Sequence, residues 1–100
     1  EEVDEGDEIA KALGDKKVAI LQNHGILTTG PSVDIALWFY MSMERCCQAQ
    51  LMAESAGKPI SVPHETAIKT REFIANDIAA WASYQPAFDK IVKMQPDLLD

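Results

Sequence analysis

Residues 18–30, VAILQNHGILTTG, constrain what this chain can fold into more than any other stretch. Two short apolar runs flank Asn23-His24-Gly25. Val18-Ala19-Ile20-Leu21 is β-branched and aliphatic with no interleaved charge, which predicts a strand buried on both faces. Ile26-Leu27-Thr28-Thr29 also favours extended backbone. A three-residue link containing glycine joins strands as a hairpin, because Gly25 can take the positive φ such turns need. His24 is thereby predicted at the rim of a sheet, a place that suits a metal ligand or an acid/base. A histidine satisfied by a backbone carbonyl is the plain alternative at the same position.

Around the hairpin the chain reads as helices. Residues 1–6 are expected to be solvated and mobile. Asp7 is expected to cap a short helix carrying Ile9, Ala10, Ala12 and Leu13, with Gly14 as its stop. After Gly30-Pro31, Ser32 opens a long helix from Val33 to Ala56, ended by Gly57. Its first half, Ile35-Ala36-Leu37-Trp38-Phe39-Tyr40-Met41, is apolar all round. Such a helix is expected to be covered on more than one side, by a sheet and by other helices or another subunit. The aromatic cluster within it reads as core or interface before it reads as a ligand box. Its second half carries Glu44, Arg45, Gln48, Gln50 and Glu54 and runs toward solvent. Residues 57–63, GKPISVP, form an extended linker. Helices are expected from about Glu65 to Ala75 and from Ile78 toward Met94, with Asp77 as cap of the second and Pro86 starting or kinking part of it. Pro96 ends that helix before a short tail. His64 falls near a helix start and is assigned no role.

Composition excludes several function classes. The net charge is -7, yet six of the sixteen acids lie in the first eight residues, and the other ten are nearly balanced by nine Lys and Arg. No basic stripe exists to neutralise phosphates, so nucleic-acid binding is disfavoured. No run of eighteen apolar residues marks a membrane span, and no signal-peptide pattern opens the chain. It opens on Glu rather than Met, so a fragment or a processed form is expected. Cys46 and Cys47 are neighbours and point about 100° apart on a helix, which makes a bond between them difficult. A reducing, cytoplasmic location is the expectation. Two thiols without partners at zinc spacing read as buried small hydrophobes. No Ser-His-Asp or Cys-His triad can be assembled from two histidines so placed.

The stretch LGDKKVAILQNHGILTTGPSVDIALWFYMSMERCCQAQLMAESAG resembles the class II aldolase/adducin family, above all in the NHG turn and the helix ending ERCCQAQ. The likeness is good from about Ile9 to Gly57. The later segment AAWASYQPAFDKIVKMQPDLLD resembles the C-terminal extension of a fungal and bacterial branch. The division expected is therefore residues 1–57 as the C-terminal half of such a domain and 58–100 as a helical extension. Ile35 stands where many members carry the Glu of a capping box, a local departure.

The resemblance implies an α/β fold, part of a three-layer α/β/α domain around a mainly antiparallel sheet, present here as a β-hairpin plus several helices. It implies a divalent metal, usually zinc, held by three histidines, of which the NHG histidine, His24, is one. It also implies a homo-oligomer, typically a tetramer, and a small sugar-phosphate or keto-acid-like substrate. Aldolases, epimerases and decarboxylases of the family polarise a carbonyl and stabilise an enolate. Neither the family's His-x-His pair nor an early catalytic carboxylate can be mapped onto these residues. The chain alone is thus expected to be catalytically incomplete. Two other readings stand beside the enzyme: a non-catalytic, adducin-like interaction module, and a helical interaction domain with an incidental resemblance.

Overall fold

The computed structural model describes residues 2–100 as a hairpin surrounded by helices. In chain order these are α1 (Glu2–Leu13), β1 (Val18–Leu21), β2 (Gly25–Thr28), α2 (Val33–Ala56), α3 (His64–Ile74), α4 (Asp77–Met94) and a 3-10 turn (Pro96–Leu99). This is a mixed α/β fold, a β-hairpin plus several helices, as the sequence predicts. The strands pair antiparallel, Val18 opposite Thr28 and Leu21 opposite Gly25. No helix among the described residues is long and apolar enough to cross a membrane.

Helix α2 is the spine. Ser32 caps it in extended conformation, its Oγ accepting from the Ile35 N–H at 3.3 Å. Because Ser32 satisfies that otherwise orphaned donor, the missing Glu of a capping box leaves the helix start intact. The Thr28 hydroxyl donates to the Ala36 carbonyl at 2.8 Å and ties β2 to the helix. At Gly30 the elbow is tight: a Cβ there would lie 2.9 Å from Ile35 Cγ2 and 3.0 Å from the Ala36 nitrogen. On its inner side α2 buries Ile35 and Phe39 against Ala80 of α4, with Val18 and Trp38 packed around them. A second tie joins the same helices, Gln85 Nε2 donating to Asp34 Oδ2 at 2.9 Å. Lys17 reaches across to residues far along the chain. Its ammonium lies 4.9 Å from the centre of the Phe39 ring and donates to the carbonyl of Ala75, where α3 ends.

Several expectations change. Helix α1 starts at least five residues before Asp7, so residues 2–6 are helical; the expectation for Glu1 lies outside the described residues. Asp4, Glu5, Asp7 and Glu8 sit in its first turns, where the helix dipole favours negative charge and offsets the cost of Gly6. Strand β1 is not buried on both faces: it touches α1 and α2, but Ile20 remains 64% exposed. A two-stranded sheet has too little around it to cover both sides. The apolar half of α2 is likewise covered only in part, leaving Val33, Leu37 and Tyr40 exposed. Asn76, not Asp77, caps α4, its side-chain oxygen accepting from the Ala79 N–H at 2.8 Å. Pro86 lies inside α4 rather than starting a helix; it leaves the Ala82 carbonyl without its usual partner. The tail folds as the 3-10 turn.

Candidate functional site

The hairpin turn places His24. The link proper is Gln22-Asn23-His24, one residue earlier than the sequence suggests, since Gly25 already pairs with Leu21. The His24 N–H donates to the Leu21 carbonyl at 3.1 Å and closes a β-turn. Asn23, the third residue of that turn, has φ +63°, a left-handed value that asparagine tolerates better than most residues. Gly25 follows at φ +133°, where a side chain would be strained. Both backbone requirements are thus met by the residues flanking the histidine, and the imidazole itself carries no steric duty in the turn.

That imidazole is accessible. The His24 side chain is 68% exposed, and its Nε2 lies 3.6 Å from Oε1 of Glu5, itself 61% exposed, on α1. Glu5 was not legible as a neighbour: the two are nineteen positions apart in sequence, and no local periodicity links a helix to a hairpin tip. His64 is exposed at the first residue of α3 and joins no cluster. Cys46 is exposed and Cys47 half-buried, both free, so the expectation of two buried thiols holds for neither in full. Among the described residues no group of three His, Cys, Asp or Glu could hold a metal ion. An open imidazole beside a carboxylate is a donor set that zinc accepts. His24 therefore fits as one ligand, while the described residues do not complete a centre. Two clefts among the described residues lie elsewhere: one is apolar, between Trp38, Phe73, Ile74 and Ala79, and another is lined by Lys16, Lys17, Arg71 and Glu72.

A mixed α/β chain with a histidine at the tip of an antiparallel hairpin, backed by one long helix, belongs to a recognisable class. Residues 1–51 match the family described as Class II Aldolase and Adducin N-terminal domain, and the chain belongs to that family. It is 39% identical over 95 residues to decarboxylase NovR of Streptomyces niveus, covering 95% of this chain and 35% of that protein. The 4-hydroxy-3-prenylphenylpyruvate oxygenase/4-hydroxy-3-prenylbenzoate synthase of Streptomyces roseochromogenus subsp. oscitans is 37% identical over 95 residues, 95% of this chain and 34% of that protein. In three dimensions the chain is similar to an L-fuculose 1-phosphate aldolase from Glaciozyma antarctica PI12, with a TM-score of 0.85, 37% identity, and coverage of 89% of this chain and 36% of that one. The chain thus spans about a third of the length of these relatives.

Proposed function

We propose that this chain is part of a divalent-metal-dependent lyase or isomerase, of the aldolase, epimerase or decarboxylase kind, in which His24 is one metal ligand. The substrate class is a small sugar phosphate or a keto-acid-like molecule, zinc is the metal, and the whole protein is a cytoplasmic homo-oligomer, a tetramer. The observation that carries this reading is the placement of His24: exposed, at a turn whose geometry is fixed by Asn23 and Gly25, in a chain of this family. Residues 58–100 act as an extension that braces α2 through Ala80 and Gln85. A divalent cation held in part by His24 would supply positive charge to polarise a substrate carbonyl. What this chain contributes is an exposed imidazole on a turn set by Asn23 and Gly25. The Leu21–His24 hydrogen bond and the Thr28–Ala36 tie hold that turn against the spine, so the donor need not be reorganised when it is used.

The test is His24→Ala in the whole protein. Activity should fall roughly 100-fold or more, on the scale of losing a principal electrostatic group, and metal content should fall with it. Thermal unfolding of the metal-free proteins should change little, since exposed substitutions shift stability by about 0.5 kcal/mol or less. A variant with full metal and normal turnover would end this reading. A whole protein that takes up no metal, and loses only stability with His24→Ala, would favour the adducin-like module instead.

A further inference from the structure

We infer that α3 is a latched flap: a helix that opens on its own while the hairpin, α2 and α4 stay folded, and that the Lys17 ammonium holds closed. Little else fastens it. The helix is 11 residues long, short of the roughly 12 to 15 that an isolated helix needs to persist in water. Four of its residues, Thr66, Ile68, Thr70 and Ile74, are β-branched, which lowers helix propensity. None of its residues is buried, and Pro63 at its start supplies no side-chain cap to the first N–H groups. Among the described elements α3 contacts only α4. Phe73, 81% exposed, and Ile74 face the apolar cleft of about 430 Å³ that separates them from Trp38 and Ser42 of α2. A gap of that size withholds the packing partners that would anchor the helix. The linker that enters α3, residues 57–63, is exposed throughout and is not packed down either.

The far end of α3 is where it is held. The Lys17 ammonium donates to the carbonyl of Ala75, the residue that ends the helix. A cation there meets the negative end of the helix dipole and satisfies an orphan carbonyl. Asn76 takes the carbonyls of Glu72 and Phe73, but it belongs to the same turn and ties the α3 end only to the start of α4. Lys17 is 58 positions away in sequence, and its own carbonyl accepts from the Thr29 N–H at 2.9 Å, at the open end of the hairpin. The Phe39 ring, with its centre 4.9 Å from the ammonium, keeps that side chain in reach of Ala75. Opening α3 thus breaks one charged hydrogen bond and uncovers little apolar surface, which puts it at the low end of local opening free energies. The flap and the hairpin that carries His24 are joined through this side chain.

The experiment is native-state hydrogen exchange, read by mass spectrometry, on the whole wild-type protein and on its Lys17→Met and Lys17→Arg variants. Methionine keeps the unbranched stem and loses the charge and the donors, whereas arginine keeps both. In the wild type the amides of α3 should exchange about 100-fold faster or more than those in the middle of α2 and α4. Lys17→Met should raise the α3 rate by roughly a further 2- to 10-fold, the scale of one net hydrogen bond, and leave α2 and α4 as they were. Lys17→Arg should restore most of the protection. Equal protection of all three helices in the wild type would overturn the inference, since α3 would then open only with the whole fold. An α3 rate that Lys17→Met leaves unaltered, or rates raised alike in all three helices, would overturn the latch. So would an arginine variant no better protected than the methionine one.

Discussion

Ala80 is the one residue of the core with no accessible surface at all. It sits where α4 crosses α2, against Ile35 and Phe39, and its size sets how closely the two helices approach. Ala80→Leu should cost about 1 to 3 kcal/mol through overpacking, measured as a lowered urea midpoint with little change in slope. Unaltered stability would mean that the crossing is loose enough to absorb three extra carbons. Nothing in the sequence singles Ala80 out, because it lies in a run of small residues, Ile78-Ala79-Ala80-Trp81-Ala82, where any alanine could be the contact. His24 is the opposite case. Glycine and asparagine beside it betray a turn, and a turn between two apolar runs fixes where the side chain must stand. The identity of its neighbour Glu5 needed tertiary structure.

At the scale of elements, helix ends were legible where a capping residue stands alone. Ser32, Gly14 and Gly57 each mark a boundary of α1 or α2 as expected. At the α3–α4 junction two candidates are adjacent, and side-chain chemistry on its own cannot rank Asn76 against Asp77. The structure decides for Asn76, because its amide does two jobs. Its oxygen accepts from the Ala79 N–H, and its nitrogen donates to the carbonyls of Glu72 and Phe73 at 3.1 and 3.0 Å. A carboxylate could do only the first. Asn76→Ala should therefore destabilise the chain by about 0.5 to 2 kcal/mol, and Asp77→Ala by less. Equal losses in chemical denaturation would contradict the assignment. The first helix was only half legible, since an acid-rich start reads equally well as solvated coil or as a dipole-favoured first turn.

For the whole molecule, surface and size are out of proportion to length. The accessible surface is 8385 Å², against roughly 5,600 Å² for a folded monomer of this mass. The radius of gyration is 16.3 Å, against about 13 Å for a compact domain of 100 residues. Leu51 and Met52 on α2 and Phe73 on α3 are among the apolar side chains left exposed. The isolated chain should consequently bind a dye specific for apolar surface and self-associate as its concentration rises. Sedimentation giving a clean monomer at high concentration, with no dye signal, would contradict this. Sequence reasoning reached the same expectation from the all-round apolar half of α2; it missed that the sheet would share the deficit.

Lys17 and Ala75 are 58 positions apart, and Asp34 and Gln85 are 51 apart. During synthesis Lys17 and Asp34, which flank the hairpin, emerge well before either of their distant partners exists. Two strands alone are marginal in water, and the contacts that join α3 and α4 to the segments flanking them close long loops. The turn that presents His24 is closed by local bonds, Leu21–His24 within it and Thr28–Ala36 to the next helix, so it is made before the distant ties. What is completed late is the packing of α4 on α2, and in the interval the apolar half of α2 is unprotected, the kind of surface on which a nascent chain meets its first chaperone.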